Sequence, residues 1–70
     1  MEEQLVGKVK FEKSEEGYGI IQTGNPMVDV YYKTTDIKEV GLESLTRGQK
    51  VEFYLESGPK GPIAKSIVLQ

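Results

Sequence analysis

Residues 17–32 read GYGIIQTGNPMVDVYY, and this stretch decides the fold. It holds two β-rich runs, 18–22 and 28–32, on either side of a Gly-Asn-Pro sequence at 24–26. Glycine and asparagine tolerate a positive φ, and proline cannot pair inside a β-ladder. The stretch therefore predicts two short strands joined by a turn.

Alternation of apolar and polar residues assigns the second run to two faces. Val28 and Val30 share one face, and Asp29 and Tyr31 share the other. Neighbouring antiparallel strands place residues of matching parity on one face, so Tyr18 and Tyr31 are expected to share a face. One face of the predicted pair thus collects tyrosine side chains.

The same alternation recurs on both sides of this stretch. It predicts further strands over 5–12, 51–56 and 63–69, with polar turns at 13–17 and 57–62. In the strand over 51–56, Val51, Phe53 and Leu55 are expected to face inward.

The segment 33–48 lacks sustained alternation and is predicted to be the one longer connection. The residues Thr34-Thr35-Asp36 are expected to cap one helical turn at Ile37. Leu42 and Leu45 are expected to reach back into the core.

Five short strands with one longer connection predict an all-β fold, a small closed or partly open barrel formed by a single domain over residues 1–70. Closure matters because a flat sheet of this size would expose unpaired edges. The five-stranded oligonucleotide-binding (OB) barrel is the first candidate. Alternation alone also fits an SH3-like barrel.

The composition removes most enzymatic chemistry. The 70 residues include no cysteine and no histidine, so the chain lacks a thiolate and the commonest general base and metal ligand. A domain this small has no volume for a deep enclosed site. We expect no enzymatic activity, no small-molecule substrate, no cofactor and no metal site.

Charge and hydropathy limit the possible partners. Nine basic and eleven acidic residues give a net charge of −2, so only a local patch would attract phosphate. No apolar run approaches the roughly 20 residues that span a bilayer, and the acidic start lacks the layout of a secretory signal. We expect a cytoplasmic protein without a membrane partner.

Aromatic and basic side chains supply the parts of a surface for single-stranded nucleic acid. Such surfaces stack bases on rings while cations track the phosphates. The candidate rings are Phe11, Tyr18, Tyr31 and Tyr32, with Ile20 on the same face, and the candidate cations are Lys8, Lys10, Lys13 and Lys60.

Alternation leaves two of these rings open. Phe11 shares parity with Val9, so it belongs either to the core or to the binding face. Tyr32 is inward by alternation, but it lies at a strand end, where the pattern often breaks. Tyr18 and Tyr31 are expected to be exposed.

Five segments, in order, resemble the cold-shock domain family. They are 7–11 (GKVKF), similar to its G-K-V-K-aromatic opening; 17–21 (GYGII), similar to G-F-G-F-I; 28–32 (VDVYY), similar to V-F-V-H-F; 45–53 (LTRGQKVEF), similar to L-x-x-G-Q-x-V-x-F; and 58–64 (GPKGPIA), similar to G-x-R/K-G-P-x-A.

The resemblance implies a five-stranded antiparallel OB barrel that is a monomer and binds single-stranded RNA or DNA, as an RNA chaperone. Position by position, the family's contact residues fall on Lys10, Phe11, Tyr18, Tyr31, Tyr32 and Lys60. Leu42 matches a loop position where the family often has an exposed phenylalanine. The family's exposed aromatic at the position of Phe11 favours the binding face for that ring.

Four positions depart from the family's pattern. Glu12, Ile20 and Asp29 stand where the family has aromatic residues, and Glu16 stands where it usually has a lysine. Each change removes stacking or adds repulsion toward phosphate. Two functions therefore stay open: binding of single-stranded nucleic acid, or a protein-interaction module that has lost most of that binding.

Overall fold

Five β-strands close into a barrel in the order β1-β2-β3-β5-β4. The structure is a computed structural model that describes residues 4–24 and 27–70. The strands are β1 (Gln4–Lys13), β2 (Tyr18–Thr23), β3 (Val28–Lys33), β4 (Lys50–Gly58) and β5 (Gly61–Leu69). The predicted five-stranded barrel is confirmed. Asn25 and Pro26, which belong to the predicted turn, lie outside the described residues.

One seam of the barrel differs from the antiparallel arrangement that was predicted. The pairs β1–β2, β2–β3, β1–β4 and β4–β5 are antiparallel. Strands β3 and β5 run parallel, with Tyr31 opposite Ile63 and Tyr32 opposite Ala64. The barrel is therefore mixed, and its closing seam places Ile63 beside Tyr31.

A β-bulge in β1 changes which residues face outward. Val9 pairs with Ile21 and Phe11 pairs with Ile20, so Lys10 is an extra residue on β1. The side chains of Val9 and Phe11 consequently point to opposite faces, with 1% of Val9 and 39% of Phe11 exposed. The bulge settles the position of Phe11, which alternation alone left open.

The core lies inside the barrel and consists of aliphatic and aromatic side chains. It is formed by Val9, Ile21, Val30, Tyr32, Leu45, Val51, Phe53, Ala64 and Ile67. Val51 and Phe53 face inward as predicted, but Leu55 is 41% exposed, against the prediction. Within the described residues, the pairs of β1 with β4 run from Lys8–Lys50 to Gln4–Tyr54, and none of them includes Leu55.

The connection between β3 and β4 contains one short helical turn. It is a 3-10 turn over Thr34–Asp36, without the predicted side-chain cap, and Ile37 that follows it is extended. Ile37 forms an isolated parallel bridge to Ile67, which ties the connection to β5. Within the part of the chain that the structure describes, no helix has the length and apolarity needed to cross a membrane.

Gly19 allows β2 to lie directly against a core ring. A Cβ atom built on Gly19 would collide with the hydroxyl and ring atoms of Tyr32, its partner across β2 and β3. Tyr32 is buried and has little room to move. The absence of a side chain at this position therefore lets the two strands approach at the height of the Tyr32 ring.

Replacing Gly19 by alanine is expected to lower the free energy of unfolding by about 1–3 kcal/mol, because the added methyl group overpacks the site. Urea denaturation measures this change. In a Tyr32→Leu background, the same Gly19→Ala change should cost less, since the ring that it strikes is gone. Equal losses in both backgrounds would contradict the close contact of Gly19 with the ring.

Candidate nucleic-acid interface

The outward side of β1, β2 and β3 brings together most of the predicted rings. Ile20 lies between two of them, because it pairs with Phe11 of β1 on one side and with Tyr31 of β3 on the other. Phe11 is 39% and Tyr31 47% exposed, and Ile20 is half-buried. We call Phe11, Tyr18, Ile20 and Tyr31 the aromatic face.

Tyr18 extends this face at the start of β2. Its ring centroid lies 6.4 Å from that of Phe11, and the two ring planes are tilted by 49°. Tilted pairs at this spacing are favourable because the edge of one ring meets the electron-rich face of the other. The contact orients both rings without covering their outer surfaces, since Phe11 remains exposed and Tyr18 half-buried.

A cleft of about 530 Å³ opens beside Tyr18 and Tyr31. Its other wall comes from the β4–β5 turn and the start of β5, with exposed Lys60 and half-buried Ile63. The parallel seam of the barrel produces this arrangement, because it brings β5 against the edge of β3. Lys33 and the otherwise buried Tyr32 also line the cleft, which therefore combines tyrosine side chains with two lysines.

Tyr32 does not lie on the aromatic face, although it was predicted as a contact residue. Its side chain is 1% exposed and packs in the core under Gly19. Burial, and secondarily the negative charge of Glu12, raise the pKa of its phenol. The hydroxyl has no hydrogen-bond partner among the described residues. The inward position given by alternation holds to the end of β3, so this ring offers no face for stacking.

Leu42 is also separate from this surface. It is half-buried in the connection before β4 and packs against the core cluster. It belongs neither to the aromatic face nor to the lining of the cleft. An aliphatic side chain gains more from covering the core than from exposure, so Leu42 and buried Leu45 both follow the prediction of inward packing.

Asp29 lies on this surface, and its carboxylate forms an ion pair with one neighbour and accepts a hydrogen bond from another. The Lys10 ammonium lies 3.1 Å from Asp29 Oδ2, and Gln22 Nε2 donates a hydrogen bond of 3.0 Å to Asp29 Oδ1. The bond from Gln22, and then that from Lys10, hold the pKa of the Asp29 carboxyl below its ordinary value. Asp29 is therefore ionised at neutral pH, and the ion pair with Lys10 partly neutralises its charge.

The other lysines near the aromatic face and the cleft fall into two groups. Lys13 is paired with Glu16 at 3.4 Å. No carboxylate partner of Lys8, Lys33 or Lys60 is found among the described residues. In the β-sheet register, Lys8 lies opposite Gln22 and Lys33 lies opposite Tyr18. Lys60 lines the cleft. These three lysines form a basic rim around the aromatic face.

Three residues of the surface were not singled out from the sequence. Gln22 and Lys33 share the parity of Tyr18 and Tyr31 in their strands, so alternation contained the signal for both. Ile63 joins the surface only through the parallel pairing of β3 with β5, for which the local sequence gives no signal. For residues 4–24 and 27–70, no group of acidic side chains is arranged to hold a metal ion.

Comparison with known proteins identifies one family. Residues 5–70 match the family model of the "cold-shock" DNA-binding domain. The cold shock-like protein CspE of Bacillus anthracis is 44% identical over 66 residues, which cover 91% of this chain and 94% of that protein. A cold shock-like protein of Aquifex aeolicus is 41% identical, with 87% of each chain covered. The cold shock-like protein CspI of Escherichia coli is 37% identical over 97% of each chain.

A solved structure supports the same fold. The Drosophila Unr CSD456 structure superposes with a TM-score of 0.81 at 19% identity. The match covers 99% of this chain, which spans 27% of that longer chain. At this identity the likeness shows the barrel architecture alone.

The hydrogen bond from Gln22 to Asp29 leads to a prediction about protonation. Gln22→Ala is expected to raise the pKa of Asp29 toward the ordinary carboxyl value, because the charged form loses a hydrogen bond. Lys10→Met should raise this pKa as well, because the charged form then loses both the hydrogen bond and the attraction of the Lys10 charge. A pH titration of the side-chain carboxyl carbon by NMR measures both shifts.

The matched control is Gln4→Ala, which removes a glutamine bonded to Glu52 at 3.2 Å on β4. This variant should leave the pKa of Asp29 unchanged. If Gln22→Ala also left it unchanged, the hydrogen bond between Gln22 and Asp29 would not exist in solution.

Proposed function

The chain belongs to the cold-shock domain family, and we propose that it binds single-stranded RNA or DNA on the aromatic face. In this proposal the bases stack on Phe11, Tyr18 and Tyr31, and the basic rim contacts the phosphates. The proposed role is that of a monomeric, cytoplasmic RNA chaperone that captures unpaired bases and so disfavours weak secondary structure.

The row formed by Phe11, Ile20 and Tyr31 carries this proposal. Two exposed rings flank a half-buried aliphatic side chain on three neighbouring strands. Each stacked base contributes about 1–3 kcal/mol, so a few rings suffice for useful affinity. Stacking within a duplex covers the faces of the bases, and an open row of this kind therefore favours unpaired strands.

Ile20 and Asp29 reduce the stacking area relative to the family's pattern, but the apolar surface from Phe11 through Ile20 to Tyr31 stays continuous. Ile20 is flanked by rings on both sides, so a base above it still contacts apolar atoms. Asp29 lies beside Gln22, one row further along the strands, and its charge is shared with Lys10. The proposal accordingly predicts binding that depends on Tyr18 and Tyr31.

Replacing both Tyr18 and Tyr31 by alanine is expected to weaken binding to short oligo-dT and oligo-U at least tenfold, with a modest loss of stability. Titration of the wild type, followed by tyrosine fluorescence quenching at low salt, detects contact of the rings with bases. Anisotropy of a labelled oligonucleotide compares the variants.

Tyr54→Ala is the matched control, because Tyr54 is a half-buried tyrosine of β4 that does not line the cleft. It should leave the affinity within about twofold of wild type. Unchanged affinity of the double variant would place the bases elsewhere. If the wild type bound neither oligonucleotide up to about 1 mM, nucleic-acid binding would be ruled out and the protein-interaction module would become the function to test.

The pairing of lysines with carboxylates predicts a weak dependence of affinity on salt. Lys10 and Lys13 are already paired with Asp29 and Glu16, which leaves the three lysines of the basic rim for phosphate. At about −0.7 for each phosphate contacted, the slope of log affinity against log salt is expected to be about −2.

Titrations with oligo-U over a series of salt concentrations measure this slope. A slope steeper than about −4 is equivalent to six or more phosphate contacts. It would contradict the proposal that stacking supplies most of the affinity and that only the three lysines of the basic rim contact phosphate. The Lys60→Met variant should reduce the slope by less than one unit, as expected for the loss of a single contact.

A further inference from the structure

We propose that Asp29 and Gln22 read the edge of a base stacked on the aromatic face, and that this pair selects guanine. The inference rests on the proposed function, because it needs a single strand on that face. It concerns the next row of outward side chains, where Gln22 of β2 is opposite Asp29 of β3.

The position of this row suits contact with base edges. Gln22 lies two residues after Ile20 in β2, and Asp29 lies two residues before Tyr31 in β3. The two rows are therefore about 7 Å apart. A base that stacks on Tyr31 or covers Ile20 can direct its Watson–Crick edge toward the second row. Asp29 is 48% exposed in its side chain, so a base can reach the carboxylate.

The hydrogen bonds within this row leave mainly acceptors free. Gln22 directs its Nε2 donor to Asp29 Oδ1, which orients its own carbonyl oxygen away from the carboxylate. Asp29 accepts one bond at each oxygen, from Gln22 and from Lys10. A carboxylate has about four lone-pair positions, so two remain for a ligand. The pair therefore presents a surface that accepts hydrogen bonds.

Guanine is the base whose edge matches such a surface. Its Watson–Crick edge carries two adjacent donors, the N1–H and the N2 amino group, which can bond to the two oxygens of one carboxylate. Uracil and thymine present a single N3–H between two carbonyl oxygens, which the carboxylate would repel. Adenine and cytosine each present one amino donor next to an accepting ring nitrogen, so they form one bond at most.

This arrangement also favours an unpaired guanine over one in a duplex. The N1–H and N2 amino groups are engaged by cytosine in a base pair and become free only in a single strand. Lys10 stays bonded to Asp29 and balances its charge, so guanine can bind without a phosphate contact at this row. Asp29 and Gln22 thus select both guanine over the other bases and a single strand over a duplex.

The test compares wild-type affinity for four short RNA strands at one salt concentration. They are an oligouridine and the same strand with a central guanosine, a central adenosine or a central inosine. We expect the guanosine strand to bind at least about fivefold tighter than oligouridine, the low end of the range for a bidentate contact, because Asp29 is exposed. The adenosine strand controls for the larger stacking area of a purine. Inosine lacks the N2 amino group, so the inosine strand should bind more tightly than oligouridine but less tightly than the guanosine strand.

Asp29→Asn removes the charge and one acceptor while it keeps the shape of the side chain. It should abolish the preference for guanosine over adenosine and tighten oligouridine binding, since one negative charge is lost. Glu43→Gln is the matched control, because it changes the charge equally at an exposed position in the connection before β4. This control should keep the preference for guanosine.

The outcomes separate the inference from the proposed function. Equal binding of all four strands would overturn guanine selection and leave single-strand binding in place. A guanosine preference that persists in Asp29→Asn would overturn the role of the carboxylate. Binding of none of the strands would overturn the proposed function, and the inference would fall with it. The inosine comparison uses the wild-type protein, so it decides the question even if a variant fails to fold.

Discussion

The extra residue in β1 at Lys10 determines how one strand contributes side chains to both the core and the surface. Before it, Val9 points into the barrel opposite Ile21, and after it Phe11 points outward opposite Ile20. A regular strand would bury the ring of Phe11 and remove one end of the aromatic row. Bulges of this kind redirect side chains at functional surfaces. In this chain the same bulge also places the Lys10 ammonium next to Asp29.

Alternation predicts those parts of the fold that depend on a single strand and its two faces. The five strands, the buried positions of Val9 and Val30, and the exposed position of Tyr31 all follow from it. It also gives the buried position of Tyr32, against the contact role taken from the family pattern. A residue's face is a local property, and the sequence contains it wherever the strand is regular.

Features that depend on two strands lie outside what alternation can predict. The position of Phe11 depends on the register between β1 and β2. Ile63 joins the surface only because the barrel closes through a parallel seam. Asp29 looked like an isolated charge in the sequence. Its partners Lys10 and Gln22 become visible only once three strands are aligned.

Under the proposed function, the pairing of charges on this surface shifts recognition from the phosphates toward the bases. A phosphate that bound Lys10 would have to displace Asp29 and would leave an unpaired carboxylate beside its own negative charge. The exchange replaces one ion pair by another and gains little, whereas the repulsion is new. Under the proposed function, the backbone of a bound strand would therefore lie nearer to the three lysines of the basic rim than to Lys10. The bases, which carry no charge, can then lie over the aromatic face with their edges toward Asp29.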